Sequence, residues 1–332
     1  MPISICPTCE TQRAHKWYQE KIFITSFIFV IILVVSYFLP FLHLLFRALI
    51  DYLKLIWWAI LLGVFIGGII DQFIPHELIV KFLAQPSKKT IFYAVVFGFL
   101  MSACSHGILA IAMALYKKGA SIPAVIAFLL ASPWANLPIT ILLFGFFNIK
   151  ALFLIISAII IAIITGFFYR IIEKKQGFGE IKQYIECDNH SHEEAKIKLT
   201  IKKWFKSSWV LSKMVIWWIL IGTIIASLSR AFIPHHLFLQ YMGPTFFGLI
   251  ITLIFATAIE VCSEGSAPLA FEIFNQTKAF GNSMIFLMAG VATDYTEIGL
   301  IWHNIGKKPA VLLPLITVPQ ILILGYLFNI LF

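Results

Sequence analysis

Residues 119–149 read GASIPAVIAFLLASPWANLPITILLFGFFNI, 31 positions without a charge. As one straight helix this stretch would be about 46 Å long at ~1.5 Å per residue, against a hydrocarbon core of about 30 Å. One straight span cannot accommodate it. Ser132-Pro133-Trp134-Ala135-Asn136-Leu137-Pro138 sits at its middle. Proline lacks the backbone N–H and crowds the preceding helical turn. The sequence therefore predicts a segment broken at membrane depth, with Asn136 as a polar side chain at the break.

The remainder of the chain suits the same solvent. Of 332 residues, 60% are hydrophobic and only 12% are charged. The charged share is about half that of an ordinary soluble domain, too little polar surface to cover a core of this size. Composition excludes a soluble enzyme, a disordered chain and a nucleic-acid reader. The net charge of +9, from 25 Lys and Arg against 16 Asp and Glu, reads as basic residues kept in cytoplasmic loops. The partners implied are the lipid bilayer and a small-molecule or ion substrate. Five scattered cysteines make no disulfide framework. The first apolar run, 22–39, has no small-residue cleavage site after it and reads as a retained helix.

Uncharged runs predict spans near 22–39, 55–73, 90–116, 119–149, 151–169, 209–229, 245–275, 281–303 and 309–332. Residues 1–21 form an N-terminal segment with a CxxC pair, and 22–52 an extra transmembrane helix and loop. A first membrane repeat covers 53–169, a hydrophilic connector 170–208, and a second repeat 209–332. The repeat is visible in the residues. Trp57-Trp58 recurs as Trp217-Trp218, and Phe73-Ile74-Pro75-His76 as Phe232-Ile233-Pro234-His235. Gly63 and Gly67 match Gly222 and Ala226, a small-residue spacing that admits close helix approach. Cys104-Ser105-His106-Gly107 returns as Cys262-Ser263-Glu264-Gly265, and Phe128-Leu129-Leu130-Ala131 as Phe286-Leu287-Met288-Ala289. Asn136 then stands opposite Asp294.

Loop charges bear on orientation, because Lys and Arg favour the cytoplasm. With the connector fixed inside and every run spanning, the 25 basic residues split 15 inside to 10 outside, and the halves are parallel. If 90–116 and 245–275 are instead re-entrant hairpins turning at the cysteine motifs, the split becomes 20 to 5, with Arg47, Lys54, Lys150, Arg230 and Lys278 outside. The halves are then inverted, and the N-terminus is cytoplasmic. The favoured reading is an all-α integral membrane protein of two inverted repeats with broken or re-entrant helices, about seven spans plus two hairpins, or nine spans.

Each cysteine motif sets Cys, a small residue, a polar ligand and Gly inside an apolar run. Glycine frees the backbone to turn, and an unwound backbone at that depth must line protein or water. Two hairpins meeting near the midplane would gather Cys104, His106, Cys262 and Glu264, a set suited to a thiophilic ion or trivalent metalloid. The bland reading makes Cys104 and Cys262 small buried residues and His106 a core histidine. Five acids lie in or beside apolar runs of the second half alone: Glu260, Glu264, Glu272, Asp294 and Glu297. A carboxylate inside a membrane costs roughly 3 kcal/mol or more. All five could bind the substrate cation or exchange protons; Glu260, Glu264 and Asp294 are favoured, with Glu260 the proton-coupling candidate, while the bland reading sets Glu272 and Glu297 at the interface, meeting water. Asn136 and Asp294 join the substrate-binding set through the helix ends their breaks expose. Cys6 and Cys9 have the spacing of half a zinc site, and Cys187, His190 and His192 of the connector could complete it in the cytoplasm. Two segments that hold metal loosely or not at all are the alternative.

There is no phosphate-binding GxxxxGK[ST], no second histidine four residues after His76, where Val80 stands, and no CxxCH. Transport would then be driven by a gradient. Cys104-Ser105-His106-Gly107, Lys118-Gly119-Ala120-Ser121, Ala127-Phe128-Leu129 and Ala131-Ser132-Pro133 resemble the predicted permeases related to ArsP, over about 50–330 and including the motif at Cys262. The resemblance implies a multi-pass permease of the cytoplasmic (inner) membrane, in a family that includes exporters of trivalent organoarsenicals and relatives linked to copper and zinc. Many relatives carry a second cysteine where His106 stands and an acid where Trp134 stands, which tilts the site here toward a borderline metal ion. The runner-up is a membrane thiol or redox protein exchanging electrons through Cys104 and Cys262. A structural subunit with inert cysteines is a third. Substrate, coupling ion and oligomeric state are not written in the residues.

Overall fold

Two helices are buried on every side, one in each half of the chain. The structure, a computed structural model, describes residues 21–73, 83, 89–100, 105–117, 119–176, 201–259 and 263–332. Helix α1 spans Lys21–Phe38, α2 His43–Phe73, α3 Lys89–Leu100, α4 Ser105–Lys117, α5 Ile122–Ala135, α6 Leu137–Phe147 and α7 Ala151–Gln176. Helices α8 Ile201–Phe232, α9 His235–Met242, α10 Phe246–Ile259, α11 Ser263–Thr277, α12 Phe280–Ala292, α13 Tyr295–Asn304 and α14 Lys307–Leu331 follow. All described regular elements are helical, as the all-α reading requires. Residues 122–134 of α5 and 280–289 of α12 are buried without interruption. A helix that is apolar all round belongs in an interior. Around α5 pack α3, α4 and α7, and around α12 pack α10, α11 and α14.

The outer helices show the converse. On α7, Leu152, Phe153, Ile156, Ile160 and Ile164 are exposed, as are Leu315, Ile323, Leu327 and Ile330 on α14. Such apolar exterior stripes are the surface a bilayer wets. Three stretches among the described residues have the length and composition of a span, Leu137–Lys175, Phe280–Asn304 and Lys307–Leu331. Two more are bent pairs, Ile22–Phe38 with Pro40–Leu62 at 116° and His235–Met242 with Phe246–Ile259 at 105°. Both bends fall at the edges of the predicted runs, next to residue 39 and next to residue 245. The arms leading into and out of the cysteine motifs, α3, α4, α10 and α11, have only 12 to 15 residues each. At ~1.5 Å per residue they reach about 18–23 Å, short of a hydrocarbon core of about 30 Å.

One segment departs from its sequence reading. Residues 43–52, expected in a loop, are the first turns of α2. Arg47, Asp51 and Lys54 stand at i, i+4 and i+7, so these charges form one helical stripe and not a turn. Asp51 pairs with Arg230 near the end of α8 at 3.3 Å. The rings of Phe41 and Phe232 lie 6.2 Å apart, so the start of α2 meets the end of α8. Lys150, between α6 and α7, and Lys278, between α11 and α12, both stand over the Phe274 ring, at 4.8 and 5.9 Å. Arg230, Asp51, Lys150 and Lys278 therefore form two pairs, each held on a common side of the bundle.

Turn residues with positive φ stand at nearly the offset that separates Cys104 from Cys262, 158 positions. Gly119 and Lys278 have positive φ of 95° and 56°, and Asn148 and Gly306 of 50° and 143°. Positions 119 and 278 are 159 apart, and 148 and 306 are 158 apart. Close packing in the second half relies on missing side chains: a Cβ on Gly281 would come within 1.8 Å of the Gly325 carbonyl oxygen, where α12 crosses α14. At the same crossing Asn282, fully buried, donates from Nδ2 to Thr252 Oγ1 at 3.0 Å and accepts from Asn329 Nδ2 at 2.7 Å.

Gly281→Ala is expected to force the helices apart and to cost about 1–3 kcal/mol, read as a lower thermal midpoint in detergent. Single cysteines at Lys150 and Lys278 are expected to react with an impermeant thiol reagent from one and the same face of the membrane. Labelling from opposite faces would contradict this packing.

Candidate functional site

Helix breaks carry the polar groups of the interior. Helix α5 runs through Pro133 and stops at Ala135, and Asn136 leaves the helix with ψ of 157°. Its amide Oδ1 then accepts from Ile139 N–H at 2.9 Å, while Pro138 occupies a first-turn position of α6 where no donor is needed. The break predicted from two prolines is thus set by the Asn136 cap, with Pro133 absorbed into the last turn of α5. In the second half α12 stops at Ala292, and Asp294 caps α13. Its Oδ1 accepts from Thr296 N–H at 2.6 Å, from Glu297 N–H at 3.2 Å and from the Thr296 hydroxyl. Two helix N-termini are thereby closed at equivalent places, one by an amide and one by a carboxylate. Asn136 is buried, with 1% of its surface exposed. A small apolar cavity lies between Pro133, Trp134 and Ile139 of the first break and Leu287 and Met288 of α12.

The arms of the cysteine motifs lead to these breaks. The Thr257 hydroxyl, near the end of α10, and the Thr293 hydroxyl are 2.7 Å apart. In the first half, α3 closes on α5 through Gly98, where a Cβ would meet Ser132 Oγ at 2.9 Å. Glu264 occupies the first turn of α11 and is buried, with 3% exposed. A carboxylate there is favoured by the positive end of the helix dipole. The glycine that follows it seats the turn: a Cβ on Gly222 of α8 would lie 2.1 Å from the Gly265 carbonyl oxygen. The small residue matched from the repeat therefore packs on the second motif itself.

Of the sequence-derived site, Glu264, Asn136 and Asp294 have described side chains. His106 falls in the first turn of α4, and its side chain is outside the described residues. Cys104, Glu260 and Cys262 lie outside the described residues, as do Cys6, Cys9, Cys187, His190 and His192. Among the described residues no group of three His, Cys, Asp or Glu gathers at metal-binding distance.

The bland reading of Glu272 and Glu297 set them in water at the interface, but both are buried. Glu272 is fully buried and accepts from the Tyr52 hydroxyl of α2 and from Gln276 Nε2 at 2.6 Å. Gln276 Oε1 is 2.9 Å from His235 Nδ1. The Glu272–Gln276 spacing of four was a visible signal, since such pairs share a helix face. The contribution of Tyr52, 220 positions away, had no local signal.

The chain matches the ArsP family of predicted permeases over residues 42–330. It is 25% identical over 255 residues to the UPF0718 protein YcgR of Bacillus subtilis, covering 72% of this chain and 81% of that one. Identity to the UPF0718 protein MJ0584 of Methanocaldococcus jannaschii is 23% over 346 residues, covering 83% and 93%. A Streptococcus mutans protein described as a subunit of a two-component membrane permease complex is 21% identical over 248 residues, covering 72% and 79%. No solved structure matches it significantly.

Asp294→Ala removes the cap of α13 and is expected to cost about 1 kcal/mol. Asp294→Asn keeps an acceptor and is expected to fold like the parent. Thermal unfolding of both proteins in the same detergent checks the difference, and any loss of transport in Asp294→Asn alone reports the charge.

Proposed function

The chain belongs to the ArsP family of predicted permeases, and from that premise we propose that it is a secondary efflux permease of the cytoplasmic membrane whose cargo is a soft metal or metalloid, a trivalent organoarsenical or a copper- or zinc-type ion. Cys104, His106, Cys262 and Glu264 would hold the cargo. Thiolate and imidazole suit soft and borderline ions, and a carboxylate offsets their charge. The observation that carries this reading is Glu264. It is a buried acid in the turn after Cys262, held there by the Gly265 contact with Gly222. An ionisable group kept at such depth is expensive and marks a substrate path. Asn136 and Asp294 would line the path at the two breaks, and Glu260 is the proton-coupling candidate beside the motif.

Inverted halves supply the movement. The Asp51–Arg230 pair and the shared seat of Lys150 and Lys278 on Phe274 support that arrangement. With every run spanning, each pair would be split across the membrane. With re-entrant arms, all of these cations fall among the five on the outer face. Rocking one half against the other would then open the cargo site to each side in turn. The description of one relative as a permease-complex subunit makes a second membrane protein a candidate partner here.

A deletion strain grown on a panel of metals and trivalent arsenicals is expected to lose tolerance to one of them and to accumulate it. The wild-type gene should restore export. Cys104→Ser, Cys262→Ser and Glu264→Gln should not, although all three proteins reach the membrane. Unchanged tolerance and accumulation across the whole panel would end the proposal.

A further inference from the structure

A second buried carboxylate stands apart from the cargo residues. Glu272 lies two turns further along α11 than Glu264, is fully buried, and joins the two halves of the chain through Tyr52 of α2. Both of its hydrogen-bond donors, the Tyr52 hydroxyl and the Gln276 amide, are neutral. The cation of this region, Arg230 of α8, is engaged by Asp51. Lys150 and Lys278 stand over the Phe274 ring. Helix α2 also carries Lys54, and α9 carries His235 and His236. Helices α6 and α12, which pack on α11, contribute no titratable side chain along their described lengths. Among the described residues no cation pairs with the Glu272 carboxylate, and an ionisable group buried in a membrane protein marks a functional path.

There is also a way in. Gln276 Oε1 can only accept, so His235 Nδ1 carries the hydrogen that meets it at 2.9 Å. The amide thus bridges an exposed imidazole to the buried acid. The amide itself holds no titratable proton. Exchange therefore requires Gln276 to swing aside and admit water or the imidazole to Glu272. An imidazole can take a proton on one ring nitrogen and give one from the other, which suits the collecting role at the mouth.

We propose that Glu272 is a proton-binding site of this permease, loaded from the membrane face that bears His235, with Gln276 as its gate and Tyr52 as the contact through which the other half senses its charge. Protonation of the carboxylate weakens its claim on the Tyr52 hydroxyl, and deprotonation restores it. The state of the proton would therefore be felt where the two halves meet. The assignment rests on the permease reading for its purpose. If the face of His235 is the outer one, protons enter where cargo leaves, as an exchanger requires. The site is distinct from Glu260.

The test uses the full-length protein in lipid nanodiscs and the proton alone as probe. Infrared difference spectra between acidic and alkaline buffer are expected to show a protonated-carboxyl band. Glu272→Gln removes it and Glu264→Gln keeps it. Tyr52→Phe deletes a donor to the carboxylate, so the band's midpoint moves to higher pH. His235→Phe leaves the midpoint in place and slows the band's appearance several-fold after a pH jump. A band indifferent to Glu272→Gln overturns the proposal. Should that variant fail to fold, a midpoint unmoved by Tyr52→Phe overturns it equally. Cargo plays no part in these readings. Wild-type protein that exports no metal or arsenical removes the cargo assignment and leaves the proton site standing, whereas a band unaffected by Glu272→Gln does the reverse.

Discussion

A helix interrupted inside a bilayer exposes backbone N–H and C=O groups to a solvent that cannot bond them. Everything distinctive in this protein depends on how that constraint is met. Asn136 and Asp294 each turn a side-chain oxygen onto the first free N–H groups of the next helix. The broken segments are then kept out of lipid by helices α3, α4 and α7 on one side and α10, α11 and α14 on the other. The same price is met differently at the two breaks. Asn136 caps without charge in a fully buried place, whereas Asp294 brings a carboxylate supported by Thr296. The two breaks are thus chemically unequal, one closed by an amide and one by a carboxylate.

Lipid gives little hydrophobic drive for one helix to leave it for another, so close approach and polar contacts hold the bundle. Gly281 against Gly325 and Gly222 against Gly265 are places where backbones meet with no side chain between. The Asn282–Asn329–Thr252 group ties the same region by hydrogen bonds whose loss would strand polar atoms. Between the halves the joint is aromatic: Phe146 and Phe271 are 5.1 Å apart, and Phe147 and Phe271 meet edge to face at 5.5 Å. Such aromatic pairs add directional attraction to the area they bury.

Much of this was legible in the residues. An overlong uncharged run with a polar centre announced the break at Asn136, and the spacing between matched motifs located its counterpart at Asp294. Small residues at Gly222 and Ala226 announced a close helix approach. Other features were hidden. Arg47, Asp51 and Lys54 resembled a loop because their charges interrupt the apolar runs that mark spans, although they lie within one helix. Glu272 resembled an interfacial acid because its apolar neighbours along the chain do not reveal that Tyr52 covers it.

The residues by themselves determined the solvent, the helical class, the breaks and the order of the elements, since each depends on local composition and on backbone chemistry within a few positions. Tertiary structure decided which ends of the helices share a side and which acids are buried. Those are contacts between positions far apart in the chain, such as Asp51 with Arg230 and Tyr52 with Glu272. A membrane helix states how deep a residue lies. Only the neighbours it packs against state whether that residue faces lipid, water or another charge.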